Sequence, residues 1–276
     1  MQISPRYDAD PLIVLDGPPA AVAEPTIRQR RRFVEVLGTL DDEQWAAPSR
    51  CEAWSVRDVV VHLADTTDFW GFSLHQGRKG EPSRFLATFD PVATPVALVA
   101  GAGDIRGPQA LERLAASVES LATLLEGLDE DTWAAVAEAP PGHVSVTAVV
   151  HHALWDSWVH ERDVMLPLGL EPEVHADEVV PSLRYAAALA PALLVSEGSD
   201  RSGTLVVDTV DPTATFTVAV GRSVSVVDGA ADEPDLVLTG SGVDLLEALS
   251  IRRPLEVDVP AGSTWLVSGL ADVFAS

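Results

Sequence analysis

The sequence is short of cysteine, short of basic side chains and free of long apolar runs, and each shortage closes off a class of protein. Cys51 is the single cysteine among 276 residues, so no intramolecular disulfide is available and a reducing compartment is expected. Lys and Arg together number 18 against 42 Asp and Glu, for a net charge of −24. Binding to phosphate backbones needs clustered basic side chains, so the balance argues against nucleic acid as a partner. An anionic membrane surface is disfavoured on the same ground. Near the N-terminus the apolar run Leu12–Leu15 is too short for the core of a secretory signal. No stretch reaches the roughly 18 uninterrupted apolar residues of a membrane helix. The expectation is a soluble, cytoplasmic protein with no membrane partner. P-loop, G-x-G-x-x-G and G-x-S-x-G motifs are absent, as is any internal repeat.

What the chain does have is a large apolar fraction, 47%, and two textures. After a Pro-rich lead over residues 1–24, residues 25–45 read as a helix whose apolar face is Ile27, Phe33, Val34, Val36 and Leu37. Ser55 and Asp58 have the spacing of a capping box and open a second helix over 56–76. A Gly- and Pro-rich excursion follows over 78–106; a connection of that length is more often functional than idle. A third helix over 108–128 repeats Leu111, Leu114, Val118, Leu121, Leu125 and Leu128 at steps of three and four. The fourth, over 146–166, stops at Pro167 and Gly169. Four such helices predict a four-helix bundle over 25–172. Beyond it, a helix over 177–195 precedes alternating runs at "GTLVVDTV", "TATFTVAV", "SVSVVDG" and "PDLVLTG", which read as a mainly antiparallel sheet with hairpins. A capped helix at "SGVDLLEALSIRR", a strand at "LEVDV" and a terminal helix at "AGSTWLVSGLADVF" complete an α+β second domain over 173–276.

Histidines sit where a core stripe belongs. His152, Asp156 and His160 are four residues apart, so they stack on one helix face, about one turn from each to the next. On the second helix His62 shares a face with Val59, Thr66 and Phe69. Two bundle helices thus offer imidazole and carboxylate groups to a common interior, where metal sites are built from facing helices. Two His and one carboxylate leave coordination positions open, as in catalytic zinc and non-haem iron sites. Each residue alone also fits a satisfied core position or a solvated helix face. Trp54, Trp155 and Trp158 read as packing residues and Cys51 as a packed, inert thiol. Asp65 and Asp163 are placed to orient the histidines.

"CEAWSVRDVVVHLAD" and "DSWVHERD" resemble the signature segments of the mycothiol-dependent maleylpyruvate isomerase family, and "PDLVLTGSGVDLLEALSIRRP" resembles its C-terminal domain. The resemblance runs from about residue 25 to the end. It implies a DinB-like four-helix bundle followed by a small sterol-carrier-like α/β domain. It also implies a divalent metal, most commonly Zn²⁺, held by His62, Asp156 and His160. The family usually carries Glu where this chain has Asp156, one methylene shorter, which makes His152 the runner-up ligand. It tends to carry Gly-Arg where this chain has Ile251-Arg252, and Arg252 becomes a candidate catalytic residue for a substrate carboxylate.

A divalent ion lowers the pKa of a bound thiol, and the resulting thiolate attacks electrophilic carbon. The expected activity is therefore that of an enzyme using a low-molecular-weight thiol, mycothiol by the resemblance, on an electrophilic small molecule. The outcome is either cis–trans isomerisation or permanent S-transfer. Hydrolysis at the same site, or a non-catalytic carrier enclosing an apolar ligand, are the alternatives. The expected assembly is a monomer or homodimer.

Overall fold

The structure, a computed structural model, describes residues 3–7 and 10–275. Its first regular element is a strand, β1 (Ile13–Leu15), within the stretch that the sequence reading left as a lead. Helix α1 (Ala23–Leu37) follows and stops at Gly38; the expected helix over 25–45 is broken there, because Asp41 caps a separate short helix, α2 (Asp42–Ala46). Helix α3 (Val56–Arg78) opens on the capping box read from the sequence, with Ser55 accepting from the Asp58 amide and Asp58 accepting from the Ser55 amide. The long excursion holds a helix of its own, α4 (Ala93–Gly101). Next come α5 (Gly107–Leu125), the short α6 (Glu130–Ala134), a hairpin of β2 (Val136–Ala139) and β3 (Gly142–Ser145), and α7 (Val146–Met165).

Helices α1, α3, α5 and α7 form the bundle. Each of α1 and α3 packs against both α5 and α7, which closes the four into a ring. Buried Glu138 on β2 pins the start of the excursion: it accepts from the amides of Phe85 and Leu86 and from the hydroxyls of Ser83 and Tyr7. Four donors on one carboxylate satisfy a charge that burial would otherwise penalise.

The second texture begins with α8 (Ala176–Ser196), long and apolar enough by composition to cross a membrane but with 78% of its apolar window buried inside the molecule. It is a core helix, and it packs on α7 as well as on the elements that follow. Those are β4 (Gly203–Val210), β5 (Thr213–Val220), β6 (Val224–Asp228), β7 (Leu236–Gly240), α9 (Gly242–Leu249) and α10 (Trp265–Phe274). The sheet order is β1-β6-β5-β4-β7. Its three central strands are antiparallel, as hairpins require, but each outer strand runs parallel to its neighbour. The sheet is therefore mixed: its edges are supplied by the N-terminal segment and by a strand that returns after a crossover. The expected strand at 255–259 joins no sheet among the described residues; Pro254 and Pro260 bracket it and limit ladder pairing. At Gly269 an added Cβ would overlap the Ala190 carbonyl, so α10 lies directly on α8 and only glycine fits there.

Candidate metal centre

Helices α3 and α7 face each other along three rungs. His62, Thr66 and Trp70 are successive four-residue steps on α3; His160, Asp156 and His152 are the matching steps on α7, read in the opposite direction. The first rung sets the His62 and His160 rings edge to face at 5.1 Å. In the second, the Thr66 hydroxyl donates to Asp156 Oδ2 at 3.0 Å. The third packs the Trp70 ring on His152 at 4.3 Å. Regular i, i+4 spacing on two antiparallel helices builds this ladder, so the sequence dictates it once the helices pair.

His62, Asp156 and His160 each offer a ligand atom, and these atoms all lie within 4.8 Å of one another. His160 Nε2 is 3.6 Å from Asp156 Oδ1. The other nitrogen of His160 has a fixed role: Nδ1 sits 3.0 Å from Asp163 Oδ2, and because a carboxylate only accepts, Nδ1 carries a proton. That leaves Nε2 as the nitrogen presented to the His62–Asp156 side. A histidine whose far nitrogen donates to a carboxylate is the usual arrangement of a metal ligand. Asp163 is fully buried and also accepts from Cys51 Sγ at 3.2 Å and from Arg252 Nε and Nη2, each at 2.8 Å.

Electrostatics follow the same plan. Burial pushes the His62 ring down, to about 4, helped by the neighbouring His160 and opposed by Asp156. Burial acts on His160 in the same direction, but its hydrogen bonds to Asp163 and Cys51 and the charge of Asp156 outweigh it and push it up to about 10. Asp156 is held below the ordinary carboxylate range despite burial, by His160, His62, His152 and Arg30. Arg30 is itself buried on α1, with Nη2 donating to the Ala153 carbonyl of α7 at 2.6 Å.

A second group, Cys51, His160 and Asp163, also meets the spacing for an ion. Its surroundings oppose one. Arg252 already covers both oxygens of Asp163 and lies 3.8 Å from Cys51 Sγ, and Arg50 Nε is 3.7 Å from Asp163 Oδ1. Two guanidinium groups repel a cation from that side, whereas among the described residues no Lys or Arg side chain is hydrogen-bonded to His62, Asp156 or His160, and Arg30 acts on Asp156 only through its charge.

The three residues expected as ligands are thus brought together. Arg252 is brought to the same cluster, but its guanidinium rests on Asp163. It gets there through the turn after α9, where Ile251 adopts a left-handed backbone (φ 56), a conformation that favours glycine. Asp65 does not orient a histidine: it pairs with Arg113 on α5. Cys51 is half-buried and in contact with Asp163 rather than sealed in apolar packing. Trp54 lies against His62 with ring centres 5.1 Å apart, and Trp155 donates from Nε1 to Ser250 Oγ at 2.8 Å. Sequence reasoning missed Tyr185, whose hydroxyl is 2.7 Å from His152 Nδ1. Within the apolar run of α8 nothing marks it. Two open surface clefts, of about 470 and about 380 Å³, lie elsewhere, one beside Trp45 and Arg106 and one beside Glu35 and Leu170.

The turn that carries Cys51 includes Ala53 at φ 64, exposed and without a side chain that packs. A left-handed L-residue costs about 1–2 kcal/mol, and glycine's extra unfolded-state freedom returns about 0.5–1 kcal/mol of that. Ala53→Gly is therefore expected to stabilise the protein by about 0.5–1 kcal/mol, read as a rise of about 1–3 °C in Tm. An unchanged or lower Tm would show that the turn is relaxed.

Residues 27–165, half of the chain, match the family described as the mycothiol maleylpyruvate isomerase N-terminal domain. Among solved structures, the mycothiol-dependent maleylpyruvate isomerase is similar with a TM-score of 0.60 and 17% sequence identity, over 89% of this chain and 97% of that one. A histidine-to-alanine variant of that isomerase gives the same coverage and TM-score at 16% identity. At such identity the likeness is one of fold. Comparison with curated proteins gives no match.

Proposed function

The chain belongs to the mycothiol maleylpyruvate isomerase N-terminal domain family, and from that premise we propose that it is a divalent-metal-dependent enzyme that uses mycothiol to attack an electrophilic small molecule, in a cis–trans isomerisation of the maleylpyruvate type. The observation that carries this reading is the meeting of His62, Asp156 and His160 within 4.8 Å between α3 and α7. Two imidazoles and a carboxylate suit Zn²⁺ and, as three protein ligands, leave a position for a substrate atom. When bound, such an ion lowers the pKa of a coordinated thiol and makes it a thiolate at neutral pH.

The rest is done by side chains of this chain. Asp163 fixes the tautomer of His160, and Arg252 holds Asp163 in place. Thr66 takes one oxygen of Asp156, which compensates for the short aspartate stem by fixing the carboxylate's orientation. His62, Thr66 and Trp54 are half-buried while Asp156 and His160 are buried, so the more accessible members of the site are those on and just before α3.

The test is turnover of maleylpyruvate by the zinc-loaded protein with and without mycothiol. Isomerisation that requires the thiol is the expected result. Accumulation of a stable thiol adduct, seen by mass spectrometry, would move the reading to S-transfer. Thiol-independent loss of substrate would move it to hydrolysis. A protein that takes up no metal and ignores the thiol would be a carrier, and the proposal would fall.

A further inference from the structure

The third rung of the ladder contains no proposed ligand, yet it is built as carefully as the other two. His152 is 4% exposed and boxed by the rings of Trp70 (4.3 Å), Trp155 (5.1 Å) and Tyr185 (5.1 Å). Its Nδ1 is 2.7 Å from the Tyr185 hydroxyl. Among the described residues no protein group bonds its Nε2. Nor is Nε2 among the buried atoms left without a partner, so this nitrogen is not sealed in by the rings and stays open to a ligand. The Tyr185 hydroxyl has no acceptor besides His152 among the described residues. Donation from that hydroxyl to Nδ1 satisfies it, and in a neutral ring it places the proton on Nε2.

Resting on the reading of the site given above, we propose that His152 is a catalytic residue whose Nε2–H donates to the substrate oxygen on which negative charge develops, with Tyr185 as the positioning residue that fixes its tautomer. The chemistry requires such a donor. In thiol-assisted isomerisation the thiolate sulfur bonds to one alkene carbon and the π pair moves through the conjugated chain to the carbonyl oxygen, giving an enolate. Rotation about the former double bond follows. The C–S bond then breaks, the pair returns to re-form the alkene, and the thiolate is released unchanged. No electrons are gained or lost overall, and the only charge to be stabilised is on the oxygen. His152 lies four residues, about 6 Å, from Asp156 along α7, a separation comparable to the length of a small enone. Burial lowers the basicity of the ring, to about 4, so it donates as a neutral imidazole and does not hand over its proton. Donors preorganised at a developing oxyanion are worth about 10²–10³ in kcat.

The experiment uses the full zinc-loaded chain with mycothiol and maleylpyruvate as probes, with metal content measured on every sample. His152→Phe keeps the aromatic packing and removes the donor; kcat is expected to fall about 100-fold with KM within about twofold and zinc retained. Tyr185→Phe is expected to lose about tenfold in kcat. The ¹⁵N shifts of His152 in the wild type should report the Nε2–H tautomer, and those in Tyr185→Phe a mixture. Wild-type activity with an equally active His152→Phe, or a wild-type ring protonated at Nδ1, would overturn the assignment alone. Should His152→Phe fail to fold, Tyr185→Phe and the wild-type shifts decide it. A wild type that takes up no zinc or shows no thiol-dependent turnover overturns the underlying reading, and this one with it.

Discussion

His160→Ala is expected to cost the protein its ion while leaving the bundle folded. Structural zinc sites bind with about 10–16 kcal/mol shared among four ligands, or roughly 2.5–4 kcal/mol each. Losing one ligand should therefore weaken affinity by about two to three orders of magnitude. At His160 the loss is expected to be larger than at His62, because the His160 ring is held in orientation by the Asp163 carboxylate and is the better organised of the two ligands. His62→Ala sits on the half-buried side of the site and removes only its own donor. Competition titration with a chromophoric chelator reads both. Thiol-dependent turnover should vanish in both variants, and far-ultraviolet circular dichroism should not change. His152→Phe serves as the control that keeps its zinc. Equal zinc affinity in wild type and His160→Ala would show that the cluster does not bind through this ring.

The second large effect falls on Asp163. Asp163→Asn removes the charge that accepts from His160, Cys51 and Arg252 together. Losing the carboxylate behind a ligating histidine costs about 10–100-fold in metal affinity. Breaking one side of a buried ion pair costs about 3–5 kcal/mol; Arg252 is 21% exposed and water repays part of that, so about 2 kcal/mol of destabilisation is expected. The two effects separate in a double variant. Adding Arg252→Met removes the stranded guanidinium and should recover most of the stability but none of the affinity. Asp65→Asn, equally plausible as an orienting carboxylate from sequence alone, should leave zinc binding unchanged, because Asp65 faces Arg113. If Asp65→Asn weakened zinc binding as much as Asp163→Asn, the positioning argument would fail.

The legible part of this molecule is what local periodicity encodes. Four-residue steps put His152, Asp156 and His160 on one stripe and His62 and Thr66 on another. Pairing α3 with α7 is the simplest way to bury two such stripes, so a shared interior of imidazole and carboxylate is legible from spacing, while the choice of His62, Asp156 and His160 as the ligands comes from the family resemblance. The cap at Ser55 and the stop signal at Pro167 mark helix ends for a similar reason, since each acts on its own neighbours. What stayed hidden depends on contacts between distant segments. Nothing in "SIRRP" says whether Arg252 reaches a substrate or Asp163, 89 positions away; that is set by a left-handed turn at Ile251 and by where α9 docks. Tyr185 is lost among the Ala and Leu residues of α8, whose pattern announces only a core helix. Strand β1 is three residues long and owes its existence to β6, so no window on its own sequence finds it. The run at 255–259 errs the other way: it alternates like a strand but has no neighbour to pair with.

Metal-dependent chemistry in this protein requires one divalent ion between α3 and α7. Crystals grown with zinc and measured on both sides of its absorption edge test this directly. A single anomalous peak bonded by a nitrogen of His62, a carboxylate oxygen of Asp156 and Nε2 of His160 is the expected result. A peak on the Cys51–Asp163 side of the His160 ring, or no peak at either position, would contradict it.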